Sequence, residues 1–355
     1  MLRFSYGNLV LYDESQIPIW STNLNTTNIS SSIEAVLLDE GNLVLRDLSN
    51  DFLWQSIDNP THAWLPGMKI GFNKRTKEKK RLTSQKNIAD PAPGLYSLEL
   101  DPDGTDQYVM MWNENEIFWR SGIWSGQMYS LVPEMAYFIN NDMYNVSFIS
   151  DENKQSFVYF VNDPNFISRL ILDASGQVRQ MYWLENTSKS WFQIWSTPRQ
   201  PCEIYAYCGA FGSCCTEQTQ HFCGCLQGFK PTLEHNWNFL EDYTSGCVRK
   251  IQLQCENNSL ANGKSDRFLA NPDVTLPGHA QSVAVGNIME CKTTCLNDCS
   301  CIAYAYEDNT CSIWNRNLMT LQQLAKGDQN GKTIYVKLAA SEFSNPKSNK
   351  KVAKK

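Results

Sequence analysis

The chain has 355 residues, a formal net charge of −6, 42% hydrophobic and 12% aromatic residues, eleven Trp and thirteen Cys. That length suits two to four domains with packed cores, and the acidic balance argues against nucleic acid as a partner. No run near twenty apolar residues could span a membrane, and no N-terminal apolar segment reads as an export signal.

The chain opens on an internal repeat. Residues 6–13 (YGNLVLYD) return as residues 40–47 (EGNLVLRD), and Ile19-Trp20-Ser21 returns as Leu53-Trp54-Gln55, both at an offset of 34 positions. Each copy reads as a Gly-Asn turn, a short apolar strand, a polar loop and a strand bearing a Trp, a pattern for sheets whose Trp residues meet in a shared core. From about Phe72 to Pro201 the sequence is strand-like throughout, with turns at Pro102-Asp103-Gly104 and Asp173-Ala174-Ser175-Gly176 and no convincing amphipathic helix. An antiparallel all-β domain is expected there. Trp112, Trp119, Trp124, Trp183, Trp191 and Trp195 admit a carbohydrate-stacking reading, but Trp in alternating strands normally faces inward. The basic runs KRTKEKKR (residues 74–81) and SNPKSNKKVAKK at the end read as solvated loops.

The first 201 residues contain no cysteine, whereas eight of the thirteen lie between Cys202 and Cys255. Such density in a short loop-rich stretch indicates a disulfide framework formed in an oxidising compartment. A zinc site is the competing reading, disfavoured because the close pairs are Cys-x-Cys and, of the two histidines in the stretch, only His221 lies among them. Sequons at Asn25, Asn28, Asn145, Asn186 and Asn257 agree with a glycosylated product of the secretory pathway. A disulfide framework without an export signal suggests a chain truncated at its start.

A second group follows: Cys255, Cys291, Cys295, Cys299, Cys301 and Cys311. The run C-x3-C-x3-C-x-C sits on an expected helix capped by Asn287, with Glu290 completing a capping box. Cys291 and Cys295 are four apart and share one face of it. CIAYAYEDNTCSIW and TIYVKLAA read as strands packed against that helix, and beyond Ala340 the chain turns Lys-rich without periodicity.

These stretches carry a resemblance. The repeat, followed by residues 54–71 (WQSIDNPTHAWLPGMKIG), resembles the end of a bulb-type, mannose-binding-like lectin domain, and residues 117–135 (IFWRSGIWSGQMYSLVPEM) resemble the S-locus glycoprotein signature. The first cysteine group is similar to an epidermal-growth-factor-like (EGF-like) module and the second to a PAN/apple module. Together these cover nearly the whole chain and resemble the plant S-domain family, the S-locus glycoproteins and the ectodomains of S-domain receptor-like kinases.

The resemblance implies a mainly β, multidomain fold: β-prism-like lectin repeats and an antiparallel β domain, then small disulfide-rich modules with one short helix. The implied boundaries are 1–71 for a partial lectin domain lacking its first sheet, 72–201 for the S-locus glycoprotein domain, 202–254 for the EGF-like module, 255–340 for PAN/apple and 341–355 for a basic juxtamembrane-like tail. It also implies the bridges Cys202–Cys214, Cys208–Cys223, Cys225–Cys247, Cys291–Cys311, Cys295–Cys301 and Cys255–Cys299. Cys215 is left over and reads as a tolerated surface substitution rather than an intermolecular bridge.

In bulb lectins a Gln-x-Asp-x-Asn-x-Val-x-Tyr strand holds the sugar. Here those places are taken by Phe4, Tyr6, Asn8, Val10 and Tyr12 in one copy and by Leu38, Glu40, Asn42, Val44 and Arg46 in the other. Neither keeps the Gln and only Glu40 approximates the Asp, so the Asn and Val residues are expected to serve turn and core, and carbohydrate is a disfavoured partner. His62, His221, His235 and His279 are scattered, and no hydrolase, metalloprotease, phosphate-loop or kinase motif occurs. The expectation is therefore a non-enzymatic extracellular recognition module with no metal or cofactor beyond N-linked glycans. It would act at the outer face of the plasma membrane, bind a peptide or protein ligand, pair with itself or a co-receptor, and serve pollen recognition or defence signalling through an attached kinase. Residues 137–165 are where a ligand surface is expected. The alternatives are a mannose-binding lectin without a signalling role and a non-functional truncated product.

Overall fold

The computed structural model describes residues 1–25, 32–163, 165–184, 189–215, 222–256 and 266–344. Asn28, Asn186, Asn257, His221 and the Lys-rich tail fall outside them. The chain divides into two compact units, Met1–Arg199 and Gln200–Lys355.

In the first unit the repeat becomes two equivalent three-stranded antiparallel sheets. Leu2–Ser5, Asn8–Tyr12 and Pro18–Ser21 form one, Glu34–Leu37, Leu43–Arg46 and Phe52–Gln55 the other. Leu9, Val10, Val44 and Leu45 are buried, and Trp20 meets Trp54 edge to face at 5.7 Å. Tight turns precede both central strands because Gly7 and Gly41 take positive φ, 75° and 86°.

Three four-stranded antiparallel sheets follow. One is the meander Leu82–Gln85, Pro93–Leu100, Tyr108–Trp112 and Glu116–Arg120. The second runs in the order Tyr144–Ser150, Lys154–Val161, Ile70–Asn73, Lys79–Lys80, and the third Ser190–Thr197, Val178–Leu184, Ser168–Leu172, Ala63–Trp64. Their core gathers on Trp64, 5% exposed, whose ring lies 5.6 Å from Tyr108 and Phe157 and 6.1 Å from Tyr159.

Three expectations need correction in this unit. A helix, α1 (Glu134–Asn140), interrupts the stretch read as strands throughout. It is too short for a periodic signal, yet Met135, Phe138 and Ile139 stand at helical spacing. The six Trp residues are half-buried rather than fully buried: Trp119 and Trp195 line an apolar cavity and Trp124 meets the buried Phe157 at 5.3 Å, but Trp183 and Trp191 depart from the expectation. Trp183 and Trp191 pair across strands at 5.6 Å, with the Arg169 guanidinium 4.0 Å over Trp191, so cross-strand and cation–π contacts replace core burial. The basic run is not simply a solvated loop: Lys79 and Lys80 form a strand, Lys79 reaches Glu99 at 2.6 Å, Lys80 reaches Asp58 at 2.9 Å, and Arg81 bonds Glu99 and Glu114. Glu99 is only 2% exposed, and a buried carboxylate requires such partners.

The second unit is built on one eight-stranded sheet in the order Cys223–Cys225, Gly212–Cys215, Leu321–Gln323, Arg267–Val274, Lys332–Leu338, Ala303–Glu307, Thr310–Trp314, Gln281–Val283. It runs across the boundary expected at 254/255, because Gly212–Cys215 pairs in parallel with Leu321–Gln323. The core is mixed in the same way: Leu226, Phe229 and Cys247 pack with Val274, Trp314, Leu321 and Leu338. Besides the expected helix, α3 (Ile288–Asn297), the unit holds α2 (Glu234–Phe239), placed by Trp237 packing edge to face on Tyr243 at 4.9 Å. Two helices thus stand where one was expected. Asn287 caps α3 by accepting from the Met289 and Glu290 amides, each at 3.0 Å, while Glu290 accepts from the Gly286 amide at 2.8 Å. At its other end the buried Lys337 ammonium donates to the Cys295 and Asp298 carbonyls, at 2.8 and 2.9 Å.

Candidate functional site

The sugar-strand positions are the first place to look for binding chemistry. The Asn8 carbonyl oxygen accepts from the Thr22 hydroxyl at 2.9 Å, and that hydroxyl accepts from the Leu9 amide at 3.1 Å. Thirty-four residues on, the Asn42 carbonyl oxygen accepts from Ser56 Oγ at 3.1 Å, and Ser56 Oγ accepts from the Leu43 amide at 2.9 Å. Asn42 also takes the Ile57 amide and donates to Gln55 Oε1 at 3.0 Å, and Asn8 donates to the Leu24 carbonyl at 3.2 Å. Both amides are consumed in holding a turn. Val10 and Val44 are core, Tyr12 is half-buried, and Arg46 is paired with Glu34 at 2.6 Å. These strands present no ring of free polar groups of the kind that a sugar requires.

Within residues 137–165 lie the end of α1, the edge strand Tyr144–Ser150 and its neighbour Lys154–Val161, with Pro164 outside the described residues. Phe138 is buried and stacks on Tyr144 at 5.1 Å, whereas Tyr137 is 64% exposed. Ile123 and Leu131, in the loop preceding α1, are exposed to a similar degree. Arg199 ties α1 down through Glu134 at 2.7 Å.

Beneath α1 lies an apolar cavity of about 80 Å³, lined by Trp64, Trp119, Met135, Phe138, Val178 and Trp195 among others. Its walls cannot close, because the ring hydroxyls are pinned: Tyr108 donates to the Ile70 carbonyl at 2.7 Å, Tyr159 to the Trp64 carbonyl at 2.9 Å, and Tyr144 bonds Ser168 at 2.7 Å. Burial pushes the Tyr144 phenol up to about 12 and also raises those of Tyr108 and Tyr159, so these hydroxyls stay neutral at physiological pH. The sequence reading missed both the cavity and its helical roof; the one available signal was the i, i+3, i+4 spacing of Met135, Phe138 and Ile139.

The structure brings the twelve cysteines together as Cys202–Cys214, Cys208–Cys223, Cys225–Cys247, Cys255–Cys299, Cys291–Cys311 and Cys295–Cys301. Each such bridge adds about 2–4 kcal/mol, chiefly by restricting the unfolded chain. Cys215 is free and half-buried at the end of its strand. Asn25 and Asn145 are exposed sequon residues. His62 is half-buried, its pKa lowered by burial and then by nearby Arg169, and His235 packs on the Phe239 ring at 5.2 Å. His279 is exposed, two residues before the strand Gln281–Val283. Among the described residues no three His, Cys, Asp or Glu side chains are placed to hold a metal, and no helix is long and apolar enough to cross a membrane.

Two lectin-like repeats, an antiparallel β domain with a single helical roof and a disulfide-braced unit define a mainly β protein assembled from binding modules. The family model for D-mannose binding lectin matches residues 1–86, that for the S-locus glycoprotein domain residues 119–233, and that for a PAN-like domain residues 255–321. All three are non-catalytic modules. A G-type lectin S-receptor-like serine/threonine-protein kinase of Arabidopsis thaliana is 42% identical over 354 residues, 97% of this chain and 41% of that protein. A second receptor-like serine/threonine-protein kinase of the same plant is 36% identical over 349 residues, 96% of this chain and 39% of that protein. The chain belongs to the S-domain family and spans about two fifths of the length of these relatives. Among solved structures, the fetuin-binding two-domain lectin of Scilla campanulata matches 54% of this chain and 72% of its own at 13% identity, with a TM-score of 0.12, too low to bear on the fold.

Proposed function

We propose that this chain is an extracellular recognition module of the S-domain type, which binds a peptide or protein ligand at the plant cell surface and passes the signal to a kinase, in pollen recognition or defence. The observation that carries this reading is the pairing of saturated sugar-strand amides with an exposed apolar surface elsewhere. Asn8 and Asn42 are spent on turns, while Tyr137, Ile123 and Leu131 stand 61–64% exposed on and before α1. Exposed apolar side chains on a packed β scaffold suit peptide side chains better than sugar hydroxyls.

The test is to secrete the oxidised chain from plant cells, immobilise it and fractionate peptides and small proteins of extracellular fluid over it. A retained peptide is synthesised and titrated against the chain and against Tyr137→Ala and Leu131→Ala. The reading expects saturable binding, at least tenfold weaker in the variants and indifferent to methyl mannoside. Retention that methyl mannoside abolishes and the variants leave unchanged would instead make the chain a lectin.

A further inference from the structure

We infer that Asn145 is a glycosylation site whose first N-acetylglucosamine packs on the ring of Phe160. The inference rests on the reading that the chain passes through the secretory pathway.

Asn145, Val146 and Ser147 form a sequon that lies in a regular strand rather than a loop. That strand, Tyr144–Ser150, is the outer edge of its sheet, so its side has room for a large substituent. In the antiparallel register Asn145 stands directly opposite Phe160, and opposed residues point to the same face with Cβ atoms about 5 Å apart. Both are exposed where their neighbours are not. Tyr144 is buried, Val146 lines the cavity, and Phe157, Val158 and Tyr159 are all buried, yet Phe160 is 47% exposed.

The ring also has a neighbour: a carbon added at Gly67 would lie 3.5 Å from Phe160 Cε1, so one edge of the ring lies beside that glycine. A large apolar surface left half-open beside a sugar acceptor is the geometry that a sugar needs. The C–H face of N-acetylglucosamine is apolar, it lies one side chain's length from the asparagine amide, and covering the ring removes surface from water.

The result expected is a bound sugar that stabilises the fold only when the ring is present. The protein is secreted from eukaryotic cells, its glycan occupancy is mapped by peptide mass spectrometry, and the glycans are trimmed to one N-acetylglucosamine. Unfolding equilibria are then measured for the parent chain, Phe160→Ala, Ser147→Ala and the double variant. We expect full occupancy at Asn145, a coupling of roughly fivefold in the unfolding equilibrium constant, and ring-current upfield shifts of the sugar protons in the parent chain. Phe160→Leu, which keeps an apolar side chain and removes the ring, must lose those upfield shifts, and it serves if the Ala variant fails to fold. Absence of a glycan at Asn145, a coupling near unity, or sugar protons at free-sugar positions would each overturn the inference. Occupancy at Asn25 with none at Asn145 would sink this inference alone, whereas a chain that is retained in the cell with reduced cysteines and no glycan at any of its five sequons would sink the secretory reading with it.

Discussion

Asn8 and Asn42 do the same work 34 residues apart, each accepting from a hydroxyl that in turn orders the central strand of its sheet. Asn42→Ala would strand the Ser56 hydroxyl, the Ile57 amide and the Gln55 side chain, so it should cost about 2–3 kcal/mol in chemical denaturation. A loss below 0.5 kcal/mol would remove the structural role argued for it. Asp101 is a second such residue, 5% exposed in the turn that Gly104 completes. Burial alone would raise its pKa, but bonds from the Thr105 hydroxyl, the Asp103 amide, the Gln107 side chain and Arg120 hold it below the usual 3.8. The folded protein therefore binds fewer protons here than the unfolded chain does. The stability Asp101 contributes is complete above pH 3.8 and is lost as pH falls through the lower folded value. Asp101→Asn should cost about 2 kcal/mol at pH 7 and flatten the acid limb of the stability curve, which urea titrations at pH 2–7 would show. What was legible at this scale was chemistry fixed by local spacing. The cysteines and the Asn287 cap could be read, and the Asp103, Thr105 and Gln107 bonds to Asp101 are as local, whereas Arg120 reaches Asp101, and Lys79 and Arg81 reach Glu99, only through folding.

Elements differ in how much of themselves they write into the chain. The helix α3 was readable because its cap, capping box and paired cysteines are all local. The helix α1 was not, since seven residues between strands give no period, and what makes it a helix is the apolar space that Met135, Phe138 and Ile139 roof. The Trp183–Trp191 pair departed from the inward expectation for a related reason: alternation locates a face, but which face is covered depends on sheets far away in sequence. The cavity offers a direct check on the element packing. Val178, 3% exposed, lines it, so Val178→Ile adds one methyl group to empty space and should stabilise the chain by up to about 1 kcal/mol. If calorimetry shows Val178→Ile to be destabilising, the walls are tighter than the hydroxyl-pinned rings imply.

At the scale of the molecule, the division falls between Arg199 and Gln200, where the change from a cysteine-free to a cysteine-rich sequence marks it. The joining of the two cysteine-rich modules was not legible, because it depends on one parallel strand pair, Ser213 to Leu321, more than a hundred residues apart. Phe211 donates to the Leu318 carbonyl at 2.9 Å, Arg249 donates to the Lys337 carbonyl, and a Cβ on Gly228 would sit 2.8 Å from the Leu338 side chain. A fragment of residues 200–344 should therefore unfold in a single cooperative transition with its bridges intact. A fragment beginning at residue 255 should expose its core and bind a hydrophobic dye. Two separate transitions in the longer fragment would show the modules to be independent.

That shared sheet also bears on how such a chain can change over generations. Modules joined like beads can be shuffled, duplicated or replaced singly by recombination, each arriving with its own complete interior. Here each cysteine-rich module keeps only a small cluster of its own, around Cys208, Cys214 and Tyr243 in one and Cys291, Cys295 and Tyr304 in the other. The largest core is common to both, so a crossover between residues 247 and 267 would deliver half of that core to each descendant. The pair must be inherited, and grafted by an engineer, as one part.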